Sequence, residues 1–314
     1  MATNRFVVRL FSSDSVARFE PECEATSAYS TLRELPVTRF WLILQLMAVV
    51  SMGTLGCGHD SPALPPLPPL PTDGSPGTYA VSIEHNNVTR EAIVYVPGSY
   101  SSADATPLLL NFHGFGGSAQ GHMEWVGMRP LADEHGFVLV YPQGSGLGDY
   151  THWNPSPPSE DNKSNADDFG FVEQLIDNIA SYYAIDANRV YATGYSNGAM
   201  MSFGMACYRG DRIAAVASVS GTMLDDTREH CTPSHPTAVI TLHGTDDSIL
   251  PYEGGEGLRS AEGIMDYWTD FNRITAEPET GSTNDGGRQV DSFLYTGGQA
   301  GTEVHHYRVV GGEH

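Results

Sequence analysis

Basic residues are scarce in this chain of 314 residues: Lys and Arg total 16 against 38 Asp and Glu, Lys163 is its one lysine, and the formal net charge is −22. So acidic a surface repels a phosphate backbone and an anionic lipid face alike, which argues against a nucleic-acid partner and leaves solubility as the plain reading of the charge. Long apolar runs are missing too. The best candidate, Phe40 to Val50, is too short to span a bilayer. With Arg39 before it and Ser51, Gly53 and Gly56 after it, it has the form of the hydrophobic segment of an export signal. It begins late, behind mixed charges that include Glu20, Glu22, Glu24 and Glu34, so the true start is expected downstream of Met1. Internal repeats are absent as well, and the acids of the loop Asn154 to Asp167 lack the spacing of a calcium-binding loop, so that run reads as a solvated face.

Cysteine is sparse, and its four positions sort by context. Cys23 falls in the leader. Cys57 closes Thr54-Leu-Gly-Cys57, a partial lipoprotein cleavage box with Thr where Leu is usual, so lipidation of Cys57 and plain secretion stand as equal alternatives. A lipid there would tether the chain to a membrane without spanning it. Cys207 and Cys231 remain as an even pair in a chain bound for an oxidising compartment, and a disulfide between them is expected. The run Ser61-Pro-Ala-Leu-Pro-Pro-Leu-Pro-Pro-Leu-Pro71 reads as an extended spacer that packs as neither helix nor sheet. The predicted organisation is a leader over residues 1–57, a Pro-rich linker over 58–73 and a catalytic domain over 74–314, located in a bacterial cell envelope or outside the cell.

From Thr78 onward, short apolar runs alternate with helical patterns, which predicts an α/β domain with a mostly parallel, doubly wound sheet. Tyr79 to Ile83 and Ala92 to Val96 form an opening hairpin pair about Asn86 and Asn87. Leu108 to Phe112, Phe137 to Tyr141, Val190 to Thr193, Ala214 to Ser218, Ala238 to Leu242 and Val304 to Val310 supply the later strands, most of them continuous apolar runs suited to burial on both faces. Asp168 to Tyr183, Asn197 to Tyr208 and Ala261 to Arg273 have helical spacing.

Gly194-Tyr-Ser-Asn-Gly198 lies between a predicted strand and a predicted helix, and that setting turns a common G-x-S-x-G string into a candidate nucleophile elbow carrying Ser196. The amide of Asn197, at the helix start, is one candidate oxyanion donor. His113-Gly-Phe-Gly-Gly117 follows the strand Leu108 to Phe112, and Phe115 or Gly116 is the second candidate donor, with His113 structural. A serine nucleophile needs a base and an acid behind it. His243-Gly-Thr-Asp-Asp247 offers two acids at a strand end, Asp246 and Asp247, and Gly311-Gly-Glu-His314 offers His314, while His305 and His306 pack within their strand or face solvent. The chemistry requires no metal and no organic cofactor.

Taken together with Tyr141-Pro-Gln-Gly144, Asp167-Asp-Phe-Gly-Phe171 and Asp186-Ala-Asn-Arg-Val-Tyr191, these motifs resemble the secreted polyhydroxybutyrate depolymerase-like and feruloyl esterase-like family of the α/β-hydrolase superfamily. The resemblance runs from about Thr78 to His314. It implies an α/β-hydrolase fold, a Ser196–Asp247–His314 triad with Asp247 preferred to Asp246, a disulfide like Cys207 to Cys231, and a substrate-side tryptophan such as Trp153, with Tyr195 assigned to substrate beside it. In that family the final Gly-Gly-x-His is followed by Trp-Pro and a closing segment, so a catalytic domain cut short at its C-terminus is the expectation here. The resulting functional expectation is an exported serine carboxylic ester hydrolase acting through an acyl-enzyme on polyester, feruloyl or acetyl esters. An amide hydrolase on the same scaffold and a catalytically silent exported binding domain are the alternatives. Oligomeric state is left open.

Overall fold

The computed structural model describes residues 66–157 and 162–314, and Leu67–His314 belong to one compact unit. The predicted leader, with Cys23 and Cys57, lies outside the described residues, as does the first half of the predicted linker, residues 58–65.

Two asparagines start the sheet. Asn86 and Asn87 adopt φ of 51° and 61°, the left-handed pair that a two-residue hairpin turn requires. They join β1 (Gly77–His85) to β2 (Val88–Val96) as an antiparallel pair. Every residue of β3 (Thr106–Phe112) and β4 (Val138–Pro142) is buried, as their largely apolar sequences require of strands covered on both faces. With β7 (Ile185–Tyr195), β8 (Ala215–Val219), β9 (Ala238–Gly244) and β12 (Val304–Val309) they form a parallel centre in the order β4-β3-β7-β8-β9-β12. Successive side chains alternate between two cores. Leu108, Leu110 and Val140 pack on the face covered by α3 (Asp168–Tyr182), α4 (Asn197–Tyr208) and α5 (Ala261–Asn272), where Phe171, Phe203 and Trp268 are enclosed. Leu109 and Leu139 pack on the other face, under Met123 of α1 (Ala119–Val126) and Ala132 of α2 (Arg129–His135). Each fully buried leucine contributes roughly 1.5–3 kcal/mol, so the centre of this sheet is where the fold is secured. The mostly parallel, doubly wound architecture is as the strand pattern predicts.

Six of the elements were not legible in the sequence. The helices α1 and α2 are each only a few residues long and lack the apolar spacing of the later helices. The ribbon β10 (Glu279–Asp285) and β11 (Arg288–Tyr295) extends the far edge in antiparallel fashion, and β10 is exposed at every position, so no apolar alternation marks it. A small hairpin, β5 (Ser145–Leu147) with β6 (Tyr150–His152), stands apart from the main sheet.

The expectation that the Pro-rich run stays free of the sheet needs correction at its end. The Pro68 carbonyl accepts the Ala80 amide at 2.8 Å, Pro69 bridges Ala80, and Leu67 and Leu70 pack against the two cores. Proline lacks a donor but keeps its carbonyl, and that suffices for docking along an edge strand.

Candidate active site

The parallel strands end together, and the chemistry-bearing loops leave from those ends. At the end of β7 the chain turns so sharply into α4 that Ser196 takes φ 55° and ψ −120°, a strained conformation for a residue with a β-carbon. Glycine on either side makes this turn possible. A β-carbon at Gly194 would overlap the Gly198 carbonyl, and one at Gly198 would overlap the carbonyls of Phe112 and His113. The Ser196 amide is anchored to Val219 on β8 at 3.0 Å, so the hydroxyl is held at the rim.

The loops after β9 and β12 are stitched to each other. Thr245 donates its amide to Val309, Asp246 donates to Gly312, and the Gly311 amide reaches the Thr245 hydroxyl at 2.8 Å. Gly244 and Gly312 touch so closely that a β-carbon on Gly244 would strike the Gly312 carbonyl. This contact delivers His314 over Asp247. The His314 Nδ1 lies 2.7 Å from Asp247 Oδ2 and its Nε2 lies 2.8 Å from Ser196 Oγ. Asp247 is an acceptor only, so the network assigns the proton to Nδ1 and leaves Nε2 to accept from the serine hydroxyl. The two candidate acids separate cleanly: Asp246 is exposed and takes a bond from Thr245, whereas Asp247 is 4% exposed. Burial opposes ionisation of Asp247, but the His314 hydrogen bond and the amides of Leu250 and Ile249 at 2.8 and 2.9 Å outweigh it and hold the carboxyl below its ordinary value.

Beside Ser196 lies the loop after β3. A β-carbon on Gly114 would come within 3.4 Å of the Ser196 Cβ, so the loop lies directly against the nucleophile candidate. Of the two candidate donors here, Gly116 is spent, since its amide bonds the Thr151 carbonyl at 2.8 Å. Phe115 remains. His113 is buried and shapes the loop, with Nδ1 2.7 Å from the Gly114 carbonyl and Nε2 accepting the Gly144 amide at 2.9 Å. Burial lowers its pKa, in keeping with a neutral ring that donates on one side and accepts on the other.

Trp153 does not sit where it was expected. It is 1% exposed; its indole donates to the His113 carbonyl at 3.0 Å, its amide donates to Asn197 Oδ1 at 2.7 Å, and Asn197 Nδ2 returns a bond to its carbonyl at 3.0 Å. The ring is a clamp between the β3 loop and the elbow, not a wall open to substrate. Of the acids in the loop behind it, Asp167 is exposed, in keeping with a solvated face, while Asn154 and Ser156 are buried. Asp168, at the start of α3, collects Arg90 at 2.8 Å, Ser145 at 2.6 Å and the Asn154 amide at 2.9 Å. His306 is enclosed in the core, bonded to Thr241 and Tyr252, and His305 is buried with it.

Tyr195 does lie at the rim, half-buried, with its ring 5.2 Å from His314 and 4.9 Å from Trp125. The aromatic residues that the sequence did not single out are Trp125, 56% exposed, and Tyr150, which stacks on exposed Phe115 at 5.5 Å. Trp125 sits on α1, an element without a legible pattern. A separate cavity of about 320 Å³, lined by Asn188, Arg212, His235 and Thr302, opens at the opposite ends of the parallel strands and holds no comparable constellation. Cys207, near the end of α4, is bonded to Cys231. Among the described residues no group of acids, histidines and cysteines is arranged to hold a metal ion, and no helix is long and apolar enough to cross a membrane.

A match to the sequence profile of the phospholipase/carboxylesterase family covers residues 99–274, more than half the chain, and includes Ser196 and Asp247. The chain belongs to that family. Among relatives of this phospholipase/carboxylesterase chain, feruloyl esterase B of Piromyces equi is 28% identical over 72% of this chain and 42% of its own length. Feruloyl esterase D of Neurospora crassa is 28% identical over 74% of this chain and 77% of its own. The bifunctional acetylxylan esterase/xylanase XynS20E of Neocallimastix patriciarum is 29% identical over 72% and 31%. The chain therefore spans less than half the length of two of these three relatives. The acetyl xylan esterase of Aspergillus awamori superposes with a TM-score of 0.54 at 16% identity, covering 75% of this chain and 93% of that one, which establishes the α/β-hydrolase fold.

Proposed function

We propose that this chain is a serine hydrolase of carboxylic esters, and the observation that carries the reading is the hydrogen-bonded line from Ser196 through His314 to buried Asp247, at 2.8 and 2.7 Å. His314 takes the proton as Ser196 Oγ attacks the ester carbonyl, and Asp247 steadies the imidazolium that forms. The amides of Asn197 and Phe115 receive the oxyanion. The alcohol leaves with the proton from His314, and water, activated by the same imidazole, releases the acid from the acyl-enzyme.

Substrate preference is assigned to feruloyl or acetyl esters on polysaccharide, with short polyesters of the polyhydroxybutyrate type in the same chemical class. The names of the relatives and the exposed rings of Phe115, Trp125 and Tyr150 around the rim support an ester presented on an extended or aromatic partner. Export, to the envelope or the medium, is supported by the Cys207–Cys231 bridge, since such bonds persist in oxidising compartments.

The test compares hydrolysis of p-nitrophenyl acetate, p-nitrophenyl butyrate and methyl ferulate by the chain and by Ser196→Ala. Turnover that falls by orders of magnitude in the variant is expected. A folded chain whose turnover is the same with and without Ser196 would overturn the reading.

A further inference from the structure

Three of the four lone-pair positions on the Asp247 carboxylate are filled by groups that the proposed reaction does not use. Oδ1 accepts the amides of Ile249 and Leu250, while Oδ2 accepts His314 Nδ1 and lies 3.2 Å from His243 Nε2. The same His243 nitrogen is 2.8 Å from the Leu250 carbonyl. Both of its neighbours are acceptors, so the nitrogen must carry the proton and share it between them. His243 thus ties together the oxygen that faces His314 and the turn whose amides hold the other oxygen.

His243 is itself well braced. It is 3% exposed at the end of β9, in register with Arg308 of β12. The Tyr252 ring lies edge-on to it at 5.7 Å, and the Tyr252 hydroxyl is fixed by His306 at 2.8 Å, which is in turn fixed by Thr241 at 2.7 Å. A carboxylate can otherwise rotate about its terminal bond, and rotation would carry Oδ2 off the imidazole.

We propose that His243 is a positioning residue of the site: its Nε2–H, shared between Leu250 O and Asp247 Oδ2, fixes the carboxylate in the rotation that presents Oδ2 to His314. The catalytic part of this inference rests on the serine-hydrolase reading, whereas the hydrogen bond it invokes does not. The titratable and charged groups around His243 are Asp247, whose Oδ2 it shares with His314, together with Tyr252, His306 and, across the strand pair, Arg308.

The test has one arm on the unaltered chain and one on variants. In nitrogen-15 histidine spectra of the full chain, His243 is expected to carry a proton on Nε2; an Nε2 without a proton would overturn the proposal, whether or not the chain hydrolyses esters. The variants are His243→Gln, whose amide nitrogen falls near the place of Nε2, and His243→Asn, whose shorter side chain does not reach Oδ2. In His243→Asn, kcat is expected to fall about ten- to a hundredfold with KM within about twofold, the scale of a small misplacement at a reacting centre. The far-downfield proton resonance of His314 Nδ1–H should shift or vanish. His243→Gln should restore both kcat and the resonance. A merely structural role predicts a lower melting temperature with the resonance and kcat unchanged in the folded fraction of His243→Asn, and that result would overturn the proposal. Loss of turnover on Ser196→Ala reports on the serine reading separately, so the two can fail independently.

Discussion

Trp153 shows how far residue type alone carries. A tryptophan in a loop beside a hydrolase elbow is commonly exposed to ligand, yet here both its ring and its backbone are consumed by the protein, and Asn197 is the partner that consumes the backbone. Nothing in sequence spacing distinguishes the two roles, because the difference lies in which hydrogen bonds close. The structure makes a specific demand. Trp153→Phe keeps an aromatic ring but gives up part of the indole volume and deletes one buried donor, leaving the His113 carbonyl short of a partner, so a loss of at least about 1–3 kcal/mol in chemical unfolding is expected while KM for methyl ferulate stays near its original value. A large rise in KM with unchanged stability would restore the substrate-facing role. The choice between Asp246 and Asp247 is of the same kind. Adjacent acids share a sequence context, and only burial together with the bond to His314 separates them.

At the scale of elements, the site depends on two glycines in separate loops. Gly244 and Gly312 bring the ends of β9 and β12 into backbone contact, and the hydrogen bonds of Thr245, Asp246 and Gly311 close around that contact. Gly244→Ala would place a methyl group against the Gly312 carbonyl and push the His314 loop outward. Because a displacement near 1 Å at a reacting group can cost about a hundredfold, kcat should fall roughly ten- to a hundredfold in protein that circular dichroism shows to be folded, with a lower melting temperature from the clash against backbone. Unchanged kcat would mean that the loops tolerate separation. These elements also explain what could be read beforehand. Strands β3, β4, β8 and β9 announce themselves because burial on both faces demands a largely apolar sequence, and the elbow announces itself because its turn excludes side chains at Gly194 and Gly198. β10 carries no such demand: exposed throughout, it is held by pairing with β11, which any polar sequence can satisfy. The rim tryptophan, Trp125, was missed for a related reason, since α1 is short and buries only Ala119, His122 and Met123.

Across the whole molecule, buried imidazoles set a limit on acid stability. Desolvation lowers His122 and His305 to about 4 and His306 to about 3, from an ordinary 6.5. A neutral buried histidine gains a proton on unfolding whenever the pH lies between its folded and unfolded values, so the unfolded chain binds more protons there and stability rises with pH. As pH falls from about 6.5 toward 4, each of these three groups therefore removes up to about 1.4 kcal/mol of stability per pH unit. Asp247 adds nothing to this decline until the pH approaches ordinary carboxylate values, because its folded-state value is lowered and its stabilising contribution is lost only as the pH falls through that value. The expected result is a urea midpoint that drops steeply between pH 6.5 and 4.5 and is nearly flat from pH 7 to 8. His306→Gln should lessen the slope over the acidic interval, since the amide can still meet Thr241 or Tyr252 without taking up a proton. An acid-insensitive midpoint, or an unchanged slope in a folded His306→Gln variant, would mean that these rings are already protonated in the native state.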